Sequence, residues 1–318
     1  MLALCSAAAV KHHPAMSHPV SAIAAVAAPF GRDVDAALAR IEATVGAARA
    51  AGAGLVVFPE AALGGYLLEP EPGEPAVGML PPSLEPDGPE IERLVRIAGD
   101  TVICVGYTEA GAEGERYASA VCVHGDGVLG HHRKVHLPPS ERFAYTPGDR
   151  FAAFDTPVGR LGMLVCYDKL FPEASRLLAH DGAQVIACLS AWPADRRRPA
   201  QELCDDRQTH HFDALDTVRA VENQVVWVSS NLTGDWGPLR FLGRSKVVDP
   251  DGLELASTDH EAGVALADVD PARAIAEALL DIDHLGDRHP TAYAATPVSP
   301  ASAPAAPPAP RAVAPPTG

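Results

Sequence analysis

Between residues 21 and 60 the chain reads as strand, helix, strand, and that order constrains the fold more than any other feature. "SAIAAVAAPF" (21–30) is an apolar run that stops at a proline. "DVDAALARIEATVGAARAAGA" follows, with Val34, Leu38, Ile41, Val45 and Ala48 at helical spacing and Asp33 placed to cap the start. "GLVVFPE" is then a short buried strand that ends at Pro59. Two apolar strands joined by an amphipathic helix within about forty residues mark a layered α/β fold.

The pattern continues along the chain. "TVICVGY" is a strand, and "YASAVCVHGDGVLGHHRKVHL" is a hairpin turned at Gly125-Asp126-Gly127. "GRLGMLVCYD" is a strand followed by a helix from Pro172 to His180, then the strand "AQVIACLS". "DALDTVRAVENQ" is helical and feeds "VVWVSSN"; "GRSKVVDPDGLELA" is a second hairpin, turned at Asp251-Gly252. "GVALADVD" is one more strand, and Pro271 opens a last helix to about Leu285. No repeat of solenoid or propeller period is present.

The ends of the chain read differently. Residues 1–17 form a loose leader, with Met16 as a candidate start; "MLALCSAAAV" lacks the basic segment of a secretion signal. Residues 287–318 are Pro/Ala-rich and nearly uncharged, which predicts a disordered tail. That leaves 18–286 as one domain.

The net charge of −16 and the lack of a basic helix face argue against nucleic acid as a partner. No apolar stretch is long enough for a membrane span. Arg196, Arg197 and Arg198 are the one basic run, read as a solvated loop rather than an anion site. The six cysteines include no C-x-x-C pair, and most sit in strand-like runs as small hydrophobes; a reduced, cytoplasmic protein is expected.

Four side chains carry chemistry. Glu60 ends "LVVFPE", Lys134 ends "GHHRK", and Cys166 ends "GMLVC"; Glu141 follows Lys134 closely. Strand ends converge on the ligand crevice of an α/β sheet, so these groups can meet. Lys134 is one of only four lysines, in a chain that otherwise uses arginine. A carboxylate can take a thiol proton, an ammonium can stabilise an oxyanion, and the Tyr167 N–H can add a second donor. Such a set suits acyl transfer through a thioester. Taken singly, each residue has a plainer reading: a core cysteine, a helix-start acid, a surface lysine, a turn cap. His131, His132 and His136 invite a metal, but a cation beside Lys134 is unfavourable and further ligands are missing, so none is expected. His210 and His211 are expected at a helix start, facing water or an interface.

"VVFPEAALGGY", "HHRKVHLPPSERFAYTPGD" and "GMLVCYDKLFPEASR" resemble, in order, the three motif blocks of the nitrilase superfamily, the carbon-nitrogen hydrolases. The resemblance runs from about residue 20 to 285. It implies an α-β-β-α sandwich, usually dimerised, with no cofactor. It assigns Glu60 as general base, Lys134 as oxyanion stabiliser, Cys166 as nucleophile and Glu141 as the second glutamate that positions Lys134 and the amide. Tyr66, Tyr167 and Trp192 are expected to line the substrate pocket. Ala191 stands where many amidase-like relatives carry asparagine. Tyr167-Asp168 resembles the amidase branches rather than true nitrilases, where Trp-Glu is usual. The expected activity is hydrolysis of a small carboxamide, with N-carbamoyl hydrolysis and nitrile hydrolysis as alternatives on the same triad. The rival from another class is an interaction protein that keeps the sandwich.

Overall fold

The computed structural model describes residues 21–68 and 80–295. β1 (Ser21–Ala28), β2 (Ala53–Val57) and β3 (Val102–Ala110) run parallel, and β4 (Arg116–His124) and β5 (Gly127–Arg133) extend them as an antiparallel hairpin. A second set holds β6 (Ala153–Thr156), β7 (Gly159–Val165), β8 (Val185–Ser190) and β9 (Val226–Trp236), with β7, β8 and β9 parallel. β10 (Leu239–Leu242) and β11 (Lys246–Val248) pair with β9, β12 (Glu254–Ser257) with β11, and β13 (Gly263–Val269) with β1. The two sets join where β1 and β9 meet at Ala27–Asn231 and Ala28–Leu232.

Side chains alternate along each strand, so the central strands β1, β2, β3, β7, β8 and β9 each feed two cores. Ile23, Leu55, Val57, Val102 and Cys104 face inward and pack with Leu161, Met163, Val165, Val185, Ala187 and Val228 from the other set. Their neighbours Ala24, Val26, Val56, Ile103 and Val105 face outward onto α1 (Val34–Ala50) and α2 (Pro89–Ala98). Leu164, Ile186, Cys188 and Trp227 face the opposite outer layer, with Leu178 of α3 (Pro172–His180) and Ala220 of α4 (Arg207–Asn223). Three apolar layers between two helical skins make the α-β-β-α sandwich. They also explain why the strands read as continuous apolar runs rather than alternating ones. Each fully buried Val, Leu or Ile contributes about 1.5–3 kcal/mol.

Local signals set the element ends. The Asp33 carboxylate accepts from Ala36 N at 3.0 Å, the cap read from the sequence. α2 has its own signals: Pro89 at its first position, Ile91, Leu94 and Ile97 on the buried face, and Gly99 just past its end. The helix opened by Pro271 is shorter than its sequence reading. α5 ends at Ala278, where Gln224 Nε2 takes the Ala278 and Ile282 carbonyls at 3.2 and 2.8 Å.

The chain divides after Leu285 into two compact units. Within the second, Pro290–Ala295 forms a six-residue helix, α6, in a stretch whose composition predicts disorder. Residues 1–20, which include the expected leader, and 296–318, the rest of the expected tail, lie outside the described residues. Among the described residues no helix is long and apolar enough to cross a membrane.

One glycine fixes how close the backbones come beneath Glu60. A Cβ on Gly106 of β3 would stand 2.6 Å from Glu60 Cα and 2.7 Å from Ala61 N. These are backbone atoms, so the chain after β2 would have to move. Gly106→Ala is therefore expected to cost about 2–3 kcal/mol in a urea unfolding titration.

Candidate active site

The ends of β2, β5 and β7 converge. Glu60 follows β2, Lys134 follows β5, Cys166 follows β7, and Glu141 lies in the loop after Lys134. Lys134 and Glu141 are fully buried, with Glu60 and Cys166 nearly so. Lys134 Nζ donates to Glu60 Oε1 at 2.8 Å and to both Glu141 oxygens at 2.7 Å. The second Glu60 oxygen accepts from the Ala191 backbone N–H at 2.9 Å. That bond uses the main chain, so an alanine serves at this position. Tyr66 Oη donates to Glu141 Oε1 at 2.6 Å. The Glu60 carboxyl and the Cys166 thiol are close enough to shift each other's titration.

Cys166 has φ of +48° and Ala61, beside Glu60, +55°. Side chains other than glycine rarely adopt this left-handed region. Cys166 directly follows β7, and the turn there sets its thiol at the strand end, while Ala61 lies in the loop after β2. A 3-10 turn, Cys166–Leu170, then leads into α3.

The electrostatics follow from burial of three charged groups together. Burial raises the Glu60 carboxyl to a pKa of about 7, against the pull of Lys134. Burial and the facing Glu60 carboxylate raise the Cys166 thiol well above its ordinary value. Burial works against the Lys134 ammonium, but Glu141 and Glu60 outweigh it and hold its pKa well above that of an ordinary lysine. At neutral pH the cluster is a protonated thiol, a fixed cation and a carboxylate balanced between its two states. It can accept a proton from the thiol as sulfur attacks and stabilise negative charge beside the ammonium.

A cavity of about 680 Å³ opens on Cys166. Cys166 and Glu141 line it, and so do Tyr66, Tyr167 and Trp192, all three of the residues expected there. Glu60 and Lys134 reach it through Glu141 and Cys166, which they touch. His211, expected to face water or an interface, lines this cavity from the second turn of α4. Arg196 and Arg197, read as a solvated loop, line it too.

The match of residues 22–277 to the carbon-nitrogen hydrolase family covers most of the sequence. The chain belongs to that family. It is a hydrolase of non-peptide C–N bonds. It is 35 % identical to a nitrilase of Pyrococcus abyssi over 225 residues, 69 % of this chain and 78 % of the relative. It is 34 % identical to an (R)-stereoselective amidase of Pseudomonas sp. over 265 residues, 81 % of this chain and 88 % of the relative. A variant of the amidase from Nesterenkonia sp. AN1 superposes with a TM-score of 0.69 at 26 % identity, covering 88 % of this chain and 97 % of its own. That variant shows covalent addition of the acetamide moiety of fluoroacetamide at its active-site cysteine.

Sequence reasoning missed the residue that holds the cysteine turn. Asp168 is fully buried and accepts from Val165 N at 3.2 Å and from His136 N at 2.9 Å. It also bonds His132 Nε2 at 3.0 Å and His136 Nδ1 at 2.9 Å. The two histidines that bracket Lys134 therefore converge on a carboxylate. Among the described residues no cluster of three or more His, Cys, Asp or Glu side chains has the geometry of a metal site. Next door, Lys169 points the other way, with its Nζ 2.8 Å from the buried Asp216 of α4 and 3.1 Å from the centre of the Phe212 ring. The turn behind Cys166 is thus tied to both flanking layers.

Asp168 also predicts a pH dependence. Burial alone would raise its pKa, but the hydrogen bonds from His132 and His136 outweigh it and hold it below the ordinary carboxylate range. A depressed carboxylate stabilises the fold fully above its unfolded pKa, about 4, and loses that contribution as pH falls below it. Asp168→Asn is expected to lower stability by about 2–4 kcal/mol at neutral pH and to flatten the acid limb of stability against pH, both measured by thermal unfolding across pH.

Proposed function

We propose that this enzyme is a thiol amidohydrolase that cleaves a small carboxamide to a carboxylate and ammonia. The observation that carries the reading is Lys134 bonded to both Glu60 and Glu141 beside Cys166, whose turn opens on the cavity. Cys166 Sγ attacks the amide carbon while Glu60 takes the thiol proton. The tetrahedral oxyanion forms beside the Lys134 ammonium and the Tyr167 N–H. Lys134 has three N–H donors. One goes to Glu60 and one is shared across the two Glu141 oxygens, which leaves the third for the oxyanion. The C–N bond breaks as Glu60 returns its proton to the leaving nitrogen, and ammonia departs from a thioester. Water then attacks the thioester carbonyl, again losing its proton to Glu60. The C–S bond breaks and the thiol is re-formed as the carboxylate leaves.

Glu141 positions Lys134 and faces the substrate, and Tyr66 holds Glu141. Tyr167 and Trp192 form pocket walls. The pair Tyr167-Asp168 supports amide over nitrile as the substrate. Asp168 has a task of its own under the cysteine turn, bonding Val165 N, His136 N and the two imidazoles.

Cys166→Ala is expected to abolish ammonia release and leave the fold intact by circular dichroism. With Glu60 as base, kcat/KM should rise with pH through about 7, because only the deprotonated carboxylate accepts the thiol proton. Glu60→Gln should lower kcat by about 10²–10⁴ and remove that rising limb. Intact-mass spectrometry with amide substrates should trap an acyl adduct on Cys166. Its absence across a broad amide panel, in wild type and in Glu60→Gln, would favour the binding-protein reading.

A further inference from the structure

The rim of the cavity carries charge that the hydrolytic chemistry does not use. In a chain of net charge −16, the cavity is lined by Arg196, Arg197, Arg207 and His211 against two acids, Glu141 and Asp195. Both acids are committed. Glu141 is taken by Lys134 and Tyr66. Asp195 pairs with Arg207 at 2.7 Å and accepts from the backbone N–H groups of Arg197 and Arg198 at 3.0 and 3.3 Å. Arg197 lines the cavity with no carboxylate partner among the described residues.

Gln208 adds a directed group to the lining of the same cavity. Trp192 Nε1 donates to Gln208 Oε1 at 2.9 Å. An indole N–H is only a donor, so this bond fixes which way the amide faces and turns its NH₂ away from the indole. Those two donors have no partner among the described residues, on a side chain that lines the cavity. The rim is also built to stay in place. The nearly buried Asp206 carboxylate caps α4 through Gln208 N at 2.8 Å and bonds Asp195 N at 3.1 Å and Ala200 N at 3.3 Å. The loop that carries Arg197 is thereby folded onto the start of the helix that carries Arg207, Gln208 and His211.

We infer that this pocket selects amides that carry a carboxylate at the end remote from the scissile carbonyl, held by the Arg197 guanidinium and the Gln208 NH₂. The inference rests on the amidohydrolase reading and names the substrate class of that site. A guanidinium and an amide N–H₂ are donors only towards an anion, and a charge-assisted bond to carboxylate is about twice as strong as a neutral one. The carboxylate can be carried on the acyl side of a carboxamide or on the amine side of an N-carbamoyl compound, the alternative substrate on the same triad, and two pairs of compounds separate these cases. Succinamate and butyramide differ by a carboxylate against a methyl group on the acyl side. N-Carbamoylglycine and ethylurea differ in the same way on the amine side.

The expected result is kcat/KM at least about ten-fold higher for the charged member of one pair, expressed mainly in KM and weakened by added salt. Arg197→Gln should cut that charged-to-neutral ratio about ten-fold, and Arg197→Lys should restore part of it. Arg197 is exposed, so these variants should fold. Neutral members turned over as well as charged ones in both pairs, or a ratio that Arg197→Gln does not move, would overturn the inference. A second readout needs no turnover: the rate of Cys166 alkylation by iodoacetamide through the cavity, followed by peptide mass spectrometry because the exposed Cys204 can react too. Succinate should protect Cys166 more than butyrate does in the wild type, and lose that advantage in Arg197→Gln. Equal protection by the two acids, unchanged in Arg197→Gln, speaks against anion selection. Protection by succinate without hydrolysis of any amide upholds the anion site and removes the amidohydrolase reading instead.

Discussion

A lysine ammonium held between two carboxylates, away from water, is the interaction on which the rest of the site depends. Removing three charges from solvent costs several kcal/mol per ion, and pairing repays that only when each lone pair and proton finds a partner. Here they do. Glu141 receives Lys134 and Tyr66, and Glu60 receives Lys134 and the Ala191 N–H. The cluster still has one more carboxylate than cations. That excess is why burial can push Glu60 to about 7 while Lys134 stays firmly charged. A base poised near neutrality and a cation that never titrates away are the two properties thiol-mediated amide hydrolysis requires. Both come from one packing arrangement.

The cluster is useful only if the thiol stays beside it. The backbone at Cys166 occupies a region that disfavours its side chain, so surrounding contacts must hold it there. Asp168 and Lys169 supply them in opposite directions. Asp168 gathers the backbone and both imidazoles on either side of Lys134, so the element bearing the cation and the turn bearing Cys166 share one anchor. Lys169 locks the same turn to α4 through Asp216, which Trp227 Nε1 also holds at 2.8 Å. At the join between the two strand sets, the Ser230 and Ser245 hydroxyls bond backbone groups of β1, and Ser230 also reaches Val57 of β2. Strand ends from different halves of the sandwich therefore keep a fixed separation.

Much of this was legible in the sequence for a physical reason. Glu60, Lys134 and Cys166 each close an apolar strand, and polar groups at such places either cap or react. Their order along the chain, with Glu141, matched one known family. The strand runs were equally readable, because residues buried on both faces leave no alternation to misjudge. What escaped was pairing across distance. His132 and His136 bond a residue more than thirty positions away, so local spacing suggested a metal or a shared face with Lys134 rather than an anchor for the turn. α2 was missed although Ile91, Leu94, Ile97 and Gly99 spell it out; ten residues between loops make a weak signal beside the strands. Arg196–Arg198 looked like a solvated loop because a charge run carries no sign of what lies opposite it.

The acidic surface and the basic rim act at different ranges. At physiological ionic strength charges separated by more than about 8 Å are largely screened, so the net −16 sets solubility but hardly governs what enters a cavity. Inside it, Arg197 and the oriented Gln208 amide face a small volume bounded by Tyr66, Tyr167 and Trp192, walls of low dielectric that lengthen the reach of a charge. An anion held there lies on the opposite side of the substrate from the Glu60–Lys134–Glu141 cluster in chemical role. On the proposed reading one end would be recognised by fixed positive charge, while the other would be attacked where negative charge must develop. Keeping the two positive features apart matters. A carboxylate bound directly at Lys134 would occupy the donor needed for the oxyanion, and a rim cation that bonds it first keeps that donor available for the transition state.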